Sequence, residues 1–323
     1  MNMENYVDVL TSYVKNRTVY KKYKMSMADH TIPYGYRYGG RVLKNNIEIV
    51  EKIQDYIQDG KPFFMGRFGS TELFTTSVFA FKANSKKAGA MNQLKKWSGF
   101  FPEDVELGEK FANQMLKSMA QLDVLGVWFT QFEDYYIKHY ISDNADITYL
   151  SDIEPWVNPL NPWSKSLAGK KVLVIHPFAD TIQKQYSNHR KDIFPGTEIL
   201  PEFKLMTLKA VQTSAEETDE RFNTWFEALE WMYVEAMKKD FDVAILGCGA
   251  YGFPLAAKLK EAGKQAIHLG GVTQILFGIK GKRWDTEKHY EYIRKLYNDA
   301  WVYPSDDEIP KGAKKIENGC YWK

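Results

Sequence analysis

The chain has 323 residues, of which 44% are hydrophobic and 26% charged, and its net charge is +2. This length and composition are typical of a folded protein with one large or two smaller α/β domains. A charge so close to neutral excludes the broad basic surface of an obligatory nucleic-acid binder. No stretch approaches the roughly 20 apolar residues that cross a bilayer, so a membrane span is not expected. Peripheral association with a membrane stays open.

The cysteine content and the N-terminal residues predict a cytoplasmic protein. Two cysteines, Cys248 and Cys320, are too few for a disulfide framework and favour a reducing compartment. The first residues lack the basic head and apolar core of a secretion signal, so we expect no such signal.

The predicted elements alternate between helices and strands along most of the chain. Residues 1–45 are predicted to form an N-terminal helical arm. Polar residues over 84–97 indicate a surface excursion, and three prolines within 154–165 indicate a loop or subdomain joint. Helices are predicted over 46–57, 73–82, 109–121, 180–188 and 218–238, and strands over 62–65, 123–128, 171–177, 205–211 and 265–269. This alternation predicts a mostly parallel, doubly wound α/β sheet.

A glycine turn, Gly247-x-Gly249-x-x-Gly252, follows an apolar strand and precedes a predicted helix. Glycines let the backbone turn tightly against a ligand, and a helix N-terminus offers free N–H groups to a phosphate. An NAD site also needs an acid about 20 residues further on, where this chain has Ile267 and His268. The pattern therefore favours another nucleotide or phosphorylated ligand over NAD. Glycines that only permit tight helix–strand packing are the structural alternative.

The last predicted strand ends in His268-Leu-Gly270-Gly271, and a short helix is expected to follow. Ligands of open α/β sheets bind at the carboxyl ends of the strands, which is where these residues fall. Lys280, Lys282 and Arg283 then form a basic cluster that could neutralise a diphosphate. A solvated loop is the alternative for this cluster.

His176 ends an earlier strand in the same way as His268. If both strands are parallel, the two histidines share one rim of the sheet and could bond phosphate, ribose or sugar hydroxyls. Metal binding by the pair is disfavoured because no third ligand accompanies either residue at ordinary spacing.

A second turn, Gly66-Arg67-Phe-Gly69-Ser70-Thr-Glu72, also follows a predicted strand. Arg67 can fork onto a phosphate or carboxylate, and Glu72 can act as general base or cation ligand. The alternative is an internal Arg67–Glu72 pair at the start of a helix. Common hydrolase and zinc motifs are absent from the sequence.

Taken together, the Arg67–Glu72 turn, Asp242-Val-Ala-Ile-Leu-Gly-Cys-Gly and the strand closing in His268-Leu-Gly-Gly resemble the GT-D-type glycosyltransferases. That family was first defined as a domain of unknown function. The resemblance covers roughly residues 45 to 290. It implies a single Rossmann-like domain, here over 46–323, that uses a nucleotide sugar, usually a UDP-sugar, in bacterial surface glycan or glycoprotein assembly.

The family pattern carries an Asp-x-Glu that engages a divalent cation and the donor. Glu72 matches the glutamate, but Ser70 stands where the aspartate is expected. A single carboxylate is a poor Mn²⁺ or Mg²⁺ site, so metal dependence is doubtful. The expected function is a cytoplasmic glycosyltransferase. An NAD(P)-dependent oxidoreductase and a non-catalytic nucleotide- or sugar-binding protein are the alternatives.

Overall fold

The computed structural model of the protein describes residues 3–20, 32–214, 217, 219–313 and 319–323. Its centre is a seven-stranded sheet in which every neighbouring pair of strands is parallel, in the order β5-β4-β3-β9-β8-β6-β7. The sheet strands are β3 Phe63–Gly66, β4 Val124–Val127, β5 Asp146–Tyr149, β6 Lys171–His176, β7 Lys204–Lys209, β8 Val243–Leu246 and β9 Gln265–His268. A separate two-stranded hairpin consists of β1 Arg37–Tyr38 and β2 Arg41–Val42.

Helices cover both faces of this sheet, which explains why its inner strands are apolar throughout. The helices of the described ranges are α1 Met3–Lys15, α2 Asn46–Asp59, α3 Ser70–Ala80, α4 Lys87–Ser98, α5 Val105–Met119, α6 Glu133–His139, α7 Ala179–Ile193, α8 Trp225–Met237, α9 Gly252–Glu261, α10 Thr273–Leu276, α11 Lys282–Thr286 and α12 Glu291–Arg294. Phe64 and Leu125 pack into the core that holds α3, α5 and α9. Phe63 and Val124, their strand neighbours, pack into the opposite core with α2 and α7. Successive strand residues thus point to opposite faces, and both faces are buried.

Capping side chains explain where several helices begin. Asn45 accepts a hydrogen bond from the backbone N–H of Glu48 at the start of α2. Asp104 does the same for two N–H groups of α5, and Thr224 accepts from the N–H of Glu227 in α8. Each cap satisfies N–H groups that have no partner within the helix.

The predicted fold class, a doubly wound parallel α/β sheet flanked by helices, is confirmed. The predicted helix over 46–57 is α2, and the predicted strand over 171–177 is β6. The helix predicted over 218–238 begins later, at Trp225, because Thr224 caps it there.

The segment 84–97, predicted as a surface excursion, is mostly exposed but helical, because it forms α4 after one short turn. Ala90, Met91 and Leu94 are buried in the same core as Phe111 of α5. The many lysines and polar residues of α4 lie on its outer side, and they concealed this short apolar stripe.

Two further segments differ from the sequence prediction. Strand β5 and helix α6 were not predicted. The segment 154–165, predicted as a loop or subdomain joint, consists of loop and short 3₁₀ turns, and part of it is packed into the core. Trp156 and Trp163 of that segment are both buried. In the N-terminal segment predicted as a helical arm, the described residues form α1, a short π-helical stretch Asn16–Tyr20 and the hairpin. Within the described ranges, none of the helices is long and apolar enough to span a membrane.

Candidate active site

A cavity of about 680 Å³ opens at the edge of the sheet where the parallel strands end. Each strand contributes a lining residue at or just beyond its carboxyl end, in the order β3 to β9: Arg67, Trp128, Leu150, His176, Val211, Gly247 and His268. Open α/β sheets bind their ligands at this edge, and the volume is that of a small-molecule site.

The first glycine turn joins β3 to α3 and lines this cavity with Gly69, Ser70 and Glu72. Gly69 precedes the helix in an extended conformation and has no side chain to cap it. A Cβ at Gly69 would lie only 1.9 Å from Oε2 of Glu72. The absence of a side chain at this position therefore lets the Glu72 carboxylate fold back over the turn.

Arg67 connects this turn to the residues that follow β9. Its Nη1 donates a hydrogen bond of 3.2 Å to the Phe68 carbonyl, and its Nη2 lies 2.7 Å from where a Cβ at Gly270 would be. Gly270 also has a φ of +68°, a conformation that favours glycine. Among the described side chains Arg67 and Glu72 form no ion pair with each other, so the alternative of an internal pair was wrong.

The second glycine turn, between β8 and α9, needs its glycines for two different reasons. A Cβ at Gly247 would lie 2.6 Å from the His176 ring, and one at Gly252 would lie 2.4 Å from Nδ1 of His268. Gly249 has a φ of +56°. Gly247 and Gly249 line the cavity, whereas Gly252 lies behind it against His268. Close packing thus accounts for two of the three glycines, as the structural alternative requires.

His176 lies at the end of β6 as a buried, neutral donor. Its Nδ1 accepts a 2.9 Å hydrogen bond from the backbone N–H of Phe178, so the ring proton of the neutral form is on Nε2. Burial lowers the pKa of His176 to about 3, and the ring is therefore uncharged at neutral pH. His176 can offer a ligand in the cavity one N–H donor and no charge.

His268 has a more enclosed position below the second glycine turn. Burial, and then the positive charge of Arg67, lower the pKa of His268 to about 3. Its buried Nδ1 faces Gly252 without a hydrogen-bond partner. Since His176 and His268 are neutral, neither adds an imidazolium charge to the guanidinium charges of Arg67 and Arg283 at the cavity.

Glu154 is a cavity residue that the sequence analysis did not identify. It follows β5 after one short turn and is 5% exposed. Its Oε2 accepts hydrogen bonds from the Tyr292 hydroxyl at 2.8 Å and from Nε1 of Trp156 at 3.1 Å. Burial raises the pKa of Glu154 to about 7, against the opposing effects of these two donors and of Arg67. The sequence signal for Glu154, its place after a strand end, could not be used because β5 itself was not predicted.

The predicted basic cluster is not assembled at the cavity. Only Arg283 lines it, with Nη1 donating to the Tyr321 hydroxyl at 3.3 Å. Lys280 lies instead over the rings of Tyr297 and Tyr303, at 5.3 and 5.9 Å from their centroids, because the backbone N–H of residue 280 pairs with Val302. Lys282 is exposed at the first residue of α11. The three cations are neighbours in sequence but point in different directions.

The C-terminal residues form part of the cavity wall. Tyr321 covers Gly271, where a Cβ would lie 2.3 Å from its Cε1, and Trp322 is buried beside the site. Gly271 is therefore needed for the close approach of this ring rather than for its own backbone conformation.

Metal ligands are sparse at this site. In the part of the chain that the structure describes, no group of three or more His, Cys, Asp or Glu side chains could hold a metal ion. Among the described residues, no further carboxylates or imidazoles therefore complete a metal-binding group with Glu72 and Ser70 at the first turn. This donor set does not fit a protein-only divalent-cation site.

Fold and site together define an α/β protein with a ligand-sized cavity at the carboxyl edge of a doubly wound sheet. The chain is similar to two solved structures of domain of unknown function 1792. In one, this highly conserved domain is described as having a distinct glycosyltransferase fold; the identity is 13%, the TM-score 0.39, and 80% of this chain and 91% of that chain are covered. The other is a selenomethionine-substituted structure of the domain, with 12% identity, a TM-score of 0.38, and 82% and 96% covered.

No family model matches the chain, and no curated protein does. A likeness at this level does not carry an activity over to the chain, so its function has to be argued from the site.

Proposed function

We propose that the protein is a glycosyltransferase that takes a sugar from a nucleotide-sugar donor held in the cavity. The observation that supports this most is the convergence of two glycine turns on one cavity, with Arg67 of the first turn against Gly270. Backbone N–H groups at such turns and a guanidinium are the groups that bind a diphosphate. His268 ends β9 where a dinucleotide enzyme would carry its ribose-binding acid, which disfavours NAD.

Transfer of the sugar breaks the bond between its anomeric carbon and the diphosphate, and the electron pair goes to the phosphate oxygen. Arg67 is the proposed stabiliser of that growing negative charge, and Nε2–H of His176 is a second donor for phosphate or sugar hydroxyls. Gly247, Gly249, Gly270 and Gly271 are proposed to line the donor, with Arg283 at the far wall. Lys280 and Lys282 are left out of the proposed site because they do not line the cavity.

Glu72, Gly69 and Ser70 form the donor side of the proposed site, next to the start of α3. Glu72 is the base or cation ligand that the sequence predicts, and the structure tests neither role. A UDP-sugar as donor and a bacterial surface glycan or glycoprotein as acceptor follow from the motif resemblance alone.

The test is a thermal-shift panel of UDP-, GDP-, CMP- and dTDP-sugars, NADH and NADPH, each with and without Mn²⁺. We expect stabilisation by one class of nucleotide sugar, followed by release of the nucleoside diphosphate in a turnover assay. Stabilisation by a nicotinamide dinucleotide alone would overturn the proposal in favour of an oxidoreductase. Donor binding without release under any condition would favour the non-catalytic alternative.

A further inference from the structure

We propose that Glu154 is the base that takes the proton from the acceptor hydroxyl, a role that rests on the transferase function proposed above. In this step the acceptor oxygen forms a bond to the anomeric carbon as the bond to the diphosphate breaks. The hydroxyl proton passes to Oε1 of Glu154 and then to solvent.

The hydrogen bonds of Glu154 fix one carboxylate oxygen and leave the other for a ligand. Both described donors, the Tyr292 hydroxyl and Nε1 of Trp156, bind Oε2. None of the described residues donates a hydrogen bond to Oε1. Oε1 is also not one of the fully buried polar atoms that lack a partner, so it keeps some exposure. Since Glu154 lines the cavity, Oε1 is the oxygen available to a substrate hydroxyl. A catalytic base needs this arrangement: fixed on one side and open on the other.

The protonation of Glu154 suits the same role. General bases work best when their pKa lies near the operating pH, and burial raises the pKa of Glu154 to about 7. The charge of Arg67 acts on the same carboxyl in the opposite direction, so the two groups are electrostatic neighbours. A diphosphate on Arg67 would cancel part of that charge and raise the pKa of Glu154 further.

Glu72 provides the matched comparison because it is a second glutamate lining the same cavity. It lies after β3, at the start of α3, and is only partly buried. Its carboxylate is folded over Gly69, on the donor side of the proposed site. We therefore assign proton removal to Glu154 and a donor-side role to Glu72.

The experiment compares Glu154→Gln with Glu72→Gln, using UDP-glucose, UDP-galactose and UDP-N-acetylglucosamine with water as acceptor and UDP release as readout. We expect Glu154→Gln to lower kcat at least about 100-fold, to leave the Kd for UDP within about threefold, and to remove the rise in rate through pH 7. A wild-type rate and pH profile in Glu154→Gln would overturn the assignment. Loss of the pH-dependent rise in Glu72→Gln alone would give the role to Glu72.

A second variant tests the same role without removing the carboxyl. Tyr292→Phe deletes a hydrogen bond that lowers the pKa of Glu154, so the rise in kcat/KM should move to higher pH. Tyr297→Phe is the control, because that hydroxyl bonds Asp285 and Tyr297 does not line the cavity. An unchanged profile in Tyr292→Phe would contradict the proposal.

Titration calorimetry with UDP alone gives a result that does not depend on turnover. Wild type should take up a fraction of a proton on binding UDP near pH 7, measured in two buffers of different ionisation enthalpy, and Glu154→Gln should take up less. Equal uptake in both proteins would overturn the base assignment and leave the donor site intact. A wild type that binds neither UDP nor any nucleotide sugar would instead refute the transferase function itself.

Discussion

Two buried glutamates just beyond neighbouring strands, Glu133 after β4 and Glu154 after β5, differ in what surrounds their oxygens. Glu133 is fully buried and accepts hydrogen bonds from the Tyr38 hydroxyl at 3.1 Å and the backbone N–H groups of Phe129 at 2.7 Å and Trp128 at 3.2 Å. Glu154 receives two donors on one oxygen and lines the cavity with the other free.

Burial raises the pKa of both carboxyls, that of Glu133 to about 8 and that of Glu154 to about 7. The raised pKa therefore does not distinguish them. In both residues the donors bind mainly Oε2, so what separates them is access: Glu154 lines the cavity, whereas Glu133 is not among its lining residues and serves as an internal acceptor for the loop at 128–129. A shifted pKa indicates a functional site only when a ligand can also reach the titrating group.

Removing the charge of Arg67, which acts on Glu154, should have the largest effect on the binding of UDP. Arg67→Ala is expected to raise the Kd for UDP about 10- to 100-fold, since it deletes a charge-assisted hydrogen-bond donor to the diphosphate. Arg67→Lys should recover part, but not all, of the affinity for UDP, because lysine keeps the positive charge but lacks the bidentate hydrogen-bonding geometry of the guanidinium. Isothermal titration measures both, and a Kd within twofold of wild type in Arg67→Ala would place the diphosphate elsewhere.

Glu154 and Glu133 should make the free energy of unfolding depend on pH in the same direction, although only Glu154 is expected to affect turnover. The folded pKa of Glu154 is raised above its unfolded value near 4.5, so wild type loses stability as pH rises from about 4.5 to about 7. Glu154→Gln lacks this loss. Its unfolding free energy relative to wild type should rise between pH 5 and 8 by on the order of 3 kcal/mol, measured by urea unfolding.

Glu133→Gln should show the same trend, continued to higher pH because its folded pKa is about 8. Its rate of UDP release, corrected for the folded fraction, should equal that of wild type. A catalytic defect in Glu133→Gln as large as that of Glu154→Gln would remove the distinction between the two glutamates.

Deleting the internal acceptor should cost stability without changing the site. Glu133→Ala leaves the Tyr38 hydroxyl and two backbone N–H groups without their partner, which costs about 2 kcal/mol of unfolding free energy. The Kd for UDP should stay within twofold of wild type. Chemical unfolding and titration at a temperature where the variant is folded provide the measurement.

The smallest effect is expected at the two lysines that the sequence placed in the donor site. Lys280→Ala and Lys282→Ala should change the Kd for UDP less than twofold at 0.15 M salt, because neither residue lines the cavity. Arg283→Ala, the cavity-lining neighbour, is the positive comparison. A tenfold loss in either lysine variant would show that the loop rearranges around the donor.

The sequence was sufficient for six of the seven sheet strands, all except β5, and for the positions of the glycine turns, for a physical reason. Apolar strands such as β6 and β8 are read directly from their residues, and the glycines of Gly247–Gly252 mark a turn by their identity alone. Because carboxyl ends of parallel strands share one edge, the position of Arg67 near Gly270 follows once the strands are known.

The remainder depended on contacts between distant residues. Glu154 is buried, and its carboxylate is fixed, by contacts with Tyr292, Trp156 and the packed segment 154–165, none of which has a local sequence pattern for a site. Conversely, Lys280 and Arg283 are close in sequence, and only the pairing of residue 280 with Val302 reveals that their side chains diverge. The periodicity of apolar residues predicts which face of a helix or strand is buried, but it does not predict which distant side chain packs against that face.

The pairing of β3 with β9 has a consequence for the order in which the molecule is assembled. Phe63 lies beside Gln265, about 200 residues later in the chain, in the middle of the sheet. During synthesis, Arg67 emerges long before the glycine against which it lies, and β4 and β5 can pair with β3 while its other edge is still exposed. β9 is the last sheet strand to be synthesised, so the cavity can be completed only after β9 has been made and pairs with β3 and β8.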